Sequence, residues 1–369
     1  MVYTHLEAAI GGAMGSALRL CPLRENRTGE LQLSIAARLA WDRPHRMHGN
    51  KSGEERMNIY TDSELSDEIR RTRLYEGSVF TYSPGSSALE LCQFAQELIE
   101  EAFSPLDPLR VHETLPAEKC AEILAGLKPM FIHHPRSKEI IKRMLAESGC
   151  DLEKTYFDVP RMRTAYPGDY LSTGIAYAFH PHRDTWYSAP ACQINWWMPI
   201  YDLTPDNCMA FHPRYFSRAI KNGSRTYNYH RWNLESRYNA AQHVKVDTRV
   251  QPRPEEEIEL EPQVRIVSKV GGMFLFSAAQ LHSTVPNTAG VPRYSIDFRT
   301  VHLDDVLGKI GAANVDSECT GTTLGDYLRG TDLSHLPEEA LALYSDGTES
   351  QYVPHSLMQP VAAGAQSAR

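Results

Sequence analysis

The residues best suited to chemistry stand in one short run, Phe179-His180-Pro181-His182-Arg183-Asp184-Thr185-Trp186-Tyr187. At the end of an alternating strand, side chains two positions apart point the same way, so His182 and Asp184 can converge on one point. An imidazole and a carboxylate are suitable donors for a redox-active ferrous ion. With one more ligand they form a facial triad, which leaves three cis positions open for substrate and dioxygen, an openness that a tetrahedral zinc site does not need. A His-x-Asp triplet also arises by chance in a chain with 15 His and 46 Asp plus Glu; His302-Leu303-Asp304 is a second instance and His5-Leu6-Glu7 a related one. Context separates them. His302 is followed only by His335 and His355 in a polar stretch, whereas far downstream of Asp184 a strand-like run from Gly271 to Leu281 ends in His282.

A little beyond His282 comes Pro292-Arg293-Tyr294-Ser295-Ile296-Asp297-Phe298-Arg299. Strand alternation puts Arg293, Ser295, Asp297 and Arg299 on one face and Tyr294, Ile296 and Phe298 on the other. The apolar face packs against helices or a second sheet, and the polar one looks into a cavity. A buried guanidinium needs an anion; its planar fork fits a carboxylate bidentately, and a hydroxyl at i+2 adds a third bond.

Together, His182-x-Asp184, the distal His282 and Arg293-x-Ser295 resemble the ligand and cosubstrate pattern of the iron(II)/2-oxoglutarate-dependent oxygenases. The run from Gln193 to Asp202, on through Asn207 to Pro213, looks like the strand, turn and strand of the phytanoyl-CoA hydroxylase-like branch, and His282-Ser283-Thr284-Val285-Pro286-Asn287 resembles its distal-histidine segment. The resemblance covers roughly residues 74 to 302; the first 70 residues, the stretch 213 to 262 and the tail depart from it. It implies a double-stranded β-helix in which His182, Asp184 and His282 bind Fe(II) and Arg293 and Ser295 hold the distal carboxylate of 2-oxoglutarate. In that family dioxygen is the oxidant and the cosubstrate leaves as succinate and carbon dioxide. Related halogenases carry a small residue in place of the carboxylate, so Asp184 argues against halogenation.

Other residues have two readings each. Gln193 and Asn195 share a strand face with Trp197; they either line the cavity beside the cosubstrate as amide donors or satisfy neighbouring backbone. Trp186 and Tyr187 either wall a substrate pocket or belong to the core. His180 with His182 would make a cupin-like His-x-His pair, but no glutamate follows at cupin spacing. In Tyr227-Asn228-Tyr229-His230-Arg231-Trp232-Asn233, a polar-aromatic cluster, Tyr229, His230 and Arg231 are candidates to grip a polar substrate under a lid, the alternative being an oligomer contact. Asn287 either orients His282 or forms a turn. Arg163 and Arg299 contact either substrate or structural carboxylates.

The elements that must position these residues can be read from periodicity. The 369 residues are 42% hydrophobic and 23% charged, with a formal charge of −8, which excludes a disordered chain and argues against phosphate-backbone binding. Cysteines at 21, 92, 120, 150, 192, 208 and 319 form no disulfide framework, which fits a reducing compartment. Ala8 to Leu18 lacks the basic segment of a signal peptide, and no apolar run is long enough to span a membrane. The expectation is therefore a cytoplasmic protein, monomer or homodimer, with neither nucleic-acid nor membrane partners.

Residues 42–70 read as an exposed excursion. Helical spacing follows: a helix capped by Ser87 with Leu89, Leu91, Phe94, Leu98 and Ile99 on one face, and helices from near Pro116 and Ser137. Short alternating runs near 157–165, 174–182, 191–201, 207–212, 264–267, 272–277 and 292–301 suggest a jelly roll. The expected architecture is α+β: an N-terminal extension over 1–73, then an oxygenase domain over 74–303. That domain has a helical layer (87–149), a cupin-like β-helix core (155–303) flanked by α-helices, and a lid insertion (213–262). A loosely helical tail, 304–369, follows. The expected activity is oxidation of a small polar, cationic metabolite by hydroxylation or oxidative cyclisation, in natural-product (aminoglycoside or other antibiotic) biosynthesis. The alternatives are a cupin-like metal-dependent isomerase or hydrolase, in which Arg293 holds a substrate carboxylate, and a non-catalytic jelly-roll ligand-binding protein.

Overall fold

A computed structural model describes residues 57–347 apart from 177–179, 237–239, 241, 245 and 250, together with the backbone of two short N-terminal strands. In chain order the elements are β1 (Val2–Thr4), β2 (Glu30–Gln32), β3 (Asn58–Thr61), α1 (Asp67–Tyr75), β4 (Val79–Tyr82), α2 (Ser86–Phe103), α3 (Ala117–His133), α4 (Pro135–Glu147), β5 (Thr155–Phe157), β6 (Arg161–Ala165), β7 (Ile194–Pro199), β8 (Met209–Phe211), α5 (Tyr229–Glu235), β9 (Val264–Ile266), β10 (Met273–Ser277), β11 (His282–Thr284), β12 (Arg293–His302), α6 (Leu303–Gly308), β13 (Leu328–Arg329) and α7 (Glu338–Ala342). The larger sheet runs β13-β5-β12-β7-β10-β4-β3-β2, with β6 also pairing β12; the smaller runs β1-β9-β8-β11.

Strand alternation explains the three layers. On β7, β10 and β12, residues Ile194, Trp196, Met198, Leu275, Tyr294, Ile296 and Phe298 pack toward the helices with Leu91, Leu124, Phe131, Ile140 and Ile141. Their alternates Trp197, Phe274 and Phe276 turn the other way and meet Met209, Phe211, Val264 and Ile266 of the small sheet. Phe211 lies edge-on to Phe274 and Phe276, at centroid distances of 5.8 and 5.0 Å. The polar members of that inner face, Asn195 on β7 and Arg293, Ser295, Asp297 and Arg299 on β12, therefore look into the space between the sheets. β7 and β12 pair antiparallel with Arg299 opposite Asn195 and Asp297 opposite Trp197.

The helices start where their caps dictate: Ser66 Oγ accepts the Ile69 N–H at the head of α1, and Pro135 opens α4 with His134 Nδ1 accepting the Arg136 N–H. Four expectations need correction. Within 42–70 the described residues include the β3 strand, with Ile59 and Tyr60 buried, and the start of α1, whose Arg70 is also buried; residues 42–56 lie outside the described set. Leu89 of α2 is 44% exposed, because it lies over the Gly271 turn rather than under the helix. The run 174–182 opens as a 3-10 turn, Gly174–Ala176, and its one described pairing is a bridge at His182. Residues 304–347 are no loose tail: β13 joins the large sheet on β5, and Asp305 takes hydrogen bonds from Arg71 and Tyr75. The remainder of the expected tail and most of the 1–73 extension lie outside the described residues. Among those described, no helix is long and apolar enough to cross a membrane.

Candidate metal site

His182 and His282 sit side by side because their backbones exchange both hydrogen bonds, His182 N to His282 O at 2.9 Å and His282 N to His182 O at 3.0 Å. Each ring is then fixed by the same local device. Nδ1 of His182 lies 2.8 Å from the His180 carbonyl, and Nδ1 of His282 lies 2.9 Å from the Gln280 carbonyl. A carbonyl only accepts, so both Nδ1 atoms carry the proton and both Nε2 lone pairs face the space between the sheets.

Asp184 does not reach that space as a strand neighbour of His182. It opens a 3-10 turn, Asp184–Tyr187, closed by Ser188 in the left-handed conformation (φ 65°). Its Oδ1 stands 3.4 Å from His182 Nε2 and 3.8 Å from His282 Nε2. Cis ligands each about 2.1 Å from one ion are roughly 3 Å apart, so the spacing fits a single metal. One nitrogen or oxygen from each of the three residues falls within 4.8 Å of the others. The site is apolar on one flank, where Phe276 packs edge-on to His282 at 4.9 Å. Burial, then the proximity of His182, pushes the His282 imidazolium down to about 3, leaving its lone pair free for a metal. Burial opposes the charge on Asp184, but the facing His182 and the Arg299 guanidinium override it and hold the carboxyl well below the ordinary carboxylate range.

The second carboxylate oxygen is engaged separately. Asp184 Oδ2 accepts from Asn195 Nδ2 at 2.8 Å and Gln193 Nε2 at 3.2 Å, with Arg299 Nε 3.9 Å away. The amides of Gln193 and Asn195 thus hold a candidate metal ligand.

Further along the same face of β12, Arg293 and Ser295 are 5% and 0% exposed. Arg293 donates through Nη1 to the Cys208 carbonyl at 3.1 Å and its guanidinium lies 5.7 Å from the Trp197 ring centroid, but among the described residues its Nε has no hydrogen-bond partner, nor has Ser295 Oγ. Burial pushes the guanidinium down to about 10, still a cation at neutral pH. A buried cation and hydroxyl with unused hydrogen-bonding capacity on one strand face fit a carboxylate ligand. The neighbouring Asp297 is spoken for by Arg163 at 2.6 Å and Arg299 at 3.6 Å.

Several solved structures are similar to this chain at low identity. EvdO2 from Micromonospora carbonacea var. aurantiaca, solved with 2-oxoglutarate, shares 14% identity over 47% of this chain and 62% of its own, with a TM-score of 0.31. The non-heme alpha ketoglutarate dependent epimerase SnoN from nogalamycin biosynthesis shares 14% over 64% of this chain and 84% of its own, at 0.33. The carbocyclase SnoK from the same biosynthesis shares 14% over 65% and 85%, at 0.33. This chain thus spans less than two thirds of the EvdO2 length. No protein-family model and no curated protein matches the sequence. Likeness of this extent leaves the chemistry to be read from the side chains.

The other candidates fall into place or out of it. Tyr187 belongs to the site: its ring stands edge-on to His182 at 5.4 Å and its hydroxyl donates to the Pro252 carbonyl at 3.0 Å, bringing the 213–262 stretch beside the triad. Tyr227 packs on Tyr187 at 5.3 Å. Trp186 is core, 0% exposed among Tyr215, Ile220 and Leu281. Tyr229 is buried, with its hydroxyl on Asp326, and His230 is buried under Gly321. Arg231 points to solvent, 73% exposed and paired with Glu235. Asn287 does not orient His282; it donates to the Ala165 and Val291 carbonyls and so ties a turn. The His180 ring is exposed, and its carbonyl, not its imidazole, serves the triad.

Two residues of the site have no signal in the motifs. Asp316 accepts from Arg183 Nε at 3.1 Å and Trp186 Nε1 at 2.7 Å, on either side of Asp184 in the chain. Tyr327 donates to Gln193 Oε1 at 2.8 Å. A clue was present in the apolar spacing of Leu324, Tyr327 and Leu328, which marks this stretch as packed.

Proposed function

We propose that this chain is an iron(II)/2-oxoglutarate-dependent oxygenase with a double-stranded β-helix core, acting on a small polar molecule. The observation that carries the reading is the pairing of two half-sites in the space between the sheets: three converging ligands of facial-triad type, and a buried Arg293–Ser295 pair with unspent hydrogen-bonding capacity. Fe(II) held by His182, Asp184 and His282, with 2-oxoglutarate and dioxygen, supplies the oxidising chemistry. The protein's own part is to orient and to exclude. The His180 and Gln280 carbonyls fix the imidazole tautomers, Asn195 and Gln193 hold Asp184, and Arg293 with Ser295 takes the far carboxylate of the cosubstrate. Phe276 and Phe211 keep water from the His282 flank. Tyr187 and Tyr227, with the 213–262 stretch folded beside the triad, form the side from which substrate enters. Hydroxylation and oxidative cyclisation of a cationic metabolite in antibiotic biosynthesis suit the net charge of −8 and the polar 213–262 stretch.

Adding Fe(II) and then 2-oxoglutarate to metal-free protein under nitrogen tests the reading. A visible metal-to-ligand charge-transfer band is expected, absent in His182→Ala and Asp184→Ala. If no band forms in the wild type, the assignment is wrong. Arg293→Ala is expected to weaken 2-oxoglutarate much more than Fe(II), and succinate release on admitting air separates an enzyme from a binding protein.

A further inference from the structure

The hydrogen bonds around Asp184 have a direction. Tyr327 is fully buried, and burial pushes its hydroxyl well above the ordinary tyrosine range, so it remains a donor. It gives its proton to Gln193 Oε1 at 2.8 Å, which anchors the outer end of that amide. Gln193 Nε2 must then face inward, where it donates to Asn195 Oδ1 at 2.9 Å and to Asp184 Oδ2 at 3.2 Å. With its oxygen so occupied, Asn195 presents Nδ2 to Asp184 Oδ2 at 2.8 Å. The Asp184 carboxylate only accepts, so both amides must turn their nitrogens toward it, and the Tyr327 hydroxyl closes the row by taking up the one amide oxygen, Gln193 Oε1, that then faces outward. Nothing in the row can be reversed without placing two oxygens against each other.

We infer that Tyr327 is a positioning residue that acts through Gln193 and Asn195 to keep Asp184 monodentate, reserving Oδ2 for amide donors and leaving Oδ1 alone to the metal. The inference rests on the metal-site reading above. A monodentate carboxylate occupies one coordination position, which is what leaves three of six free; a carboxylate loose enough to chelate would take one of those three. The segment carrying Tyr327 lies against the metal motif along its length: Ser317 Oγ donates to the Thr185 carbonyl at 2.6 Å, and Ser188 Oγ to the Thr320 carbonyl at 2.6 Å. Tyr327 is thus held in place independently of the bond it makes to Gln193.

Co(II) titration of the full-length protein, followed by its d–d absorption, tests this with no turnover required. Tyr327→Phe is expected to weaken Co(II) by about tenfold, the lower end of what losing an outer partner of a metal ligand costs, and to alter the d–d bands. Gln193→Leu should do the same, and Tyr327→Phe added to it should have no further effect. Tyr344→Phe, which removes a hydroxyl bonded to the Val306 carbonyl at 3.1 Å in the same C-terminal region, should leave affinity and spectrum alone. Wild-type affinity and spectrum in a folded Tyr327→Phe overturns the inference. If Tyr327→Phe does not fold, Gln193→Glu decides, since it keeps the acceptor for Tyr327 but puts an acceptor where Asn195 and Asp184 need a donor: undiminished affinity overturns the inference. Failure of the wild type to bind Co(II) would instead sink the metal site itself.

Discussion

Arg293 shows what the site costs. It is 5% exposed and, among the described residues, has no carboxylate of its own and keeps an unbonded Nε. Each pH unit by which burial lowers a cation's pKa corresponds to about 1.4 kcal/mol against the charged form, so the ligand-free protein carries a strain that a carboxylate would relieve. Arg293→Met is therefore expected to raise the melting temperature of the ligand-free protein while abolishing the rise that 2-oxoglutarate gives with Ni(II) bound. Thermal melts of both proteins with and without 2-oxoglutarate check this; a variant that melts lower and still responds to 2-oxoglutarate contradicts it. Arg293 was legible because strand alternation forces it inward beside Ser295, and the triad because residue type and context single out one His-x-Asp with a distal histidine. The roles of Asp316 and Tyr327 were not. They act through contacts between side chains far apart in sequence, which leave no period in the chain. Asp184 was found for a partly wrong reason, since a 3-10 turn and not strand alternation delivers it.

Elements with a strict period were placed to within about three residues, although Ser87 is no cap: α2 begins at Ser86 after Gly85, and the Ser87 hydroxyl donates to Glu147 instead. β7, β10 and β12 and helices α2 to α4 fall where alternation and helical spacing put them, because each has one face buried against another layer. Where the chain makes 3-10 turns, as at Gly174–Ala176, no face repeats and alternation misleads. Helix α3 contains a feature that periodicity alone would misjudge: Lys128 lies on its buried face with Leu124, Leu127 and Phe131. Its ammonium donates to the Ile175 carbonyl, and Thr164 Oγ1 is 3.5 Å away. Burial, then the nearby Arg163, pushes it down to about 7. Between that value and the ordinary lysine range the unfolded chain holds a proton that the folded one has shed, so stability rises with pH through this window and is flat below it. Lys128→Met removes the titration. The melting difference between variant and wild type is expected to favour the variant most at pH 6–7 and to shrink steadily toward pH 10. A difference independent of pH would mean that Lys128 stays charged in the fold.

At the scale of the molecule, the two ends of the described chain clamp the large sheet beside the candidate metal site. From the N-terminal side α1 supplies Arg71 and Tyr75, both bonded to Asp305 of α6, and Tyr75 also meets the Cys192 carbonyl, next to Gln193. From the C-terminal side β13 extends the large sheet, Asp316 ties Arg183 to the backbone N–H of Ile220, and Tyr327 aligns the amides that hold Asp184. The domain therefore does not end where the last motif strand ends. A chain stopped at Leu303 would keep His182, Asp184, His282, Arg293 and Ser295, yet it would leave the buried Arg183 and Gln193 without these partners and the part-buried Arg71 with Asp67 alone. Removing one partner of a buried ion pair costs about 3–5 kcal/mol, which in a domain of this size corresponds to a fall on the order of 10 °C in melting temperature. Such a chain is expected to melt at least that much lower than the full-length protein and to lose Co(II) binding at concentrations that saturate the full-length form. Equal melting and equal Co(II) binding in the two would show that residues after 303 only decorate a self-sufficient core; loss of both ties the closing segment to the fold and the site together.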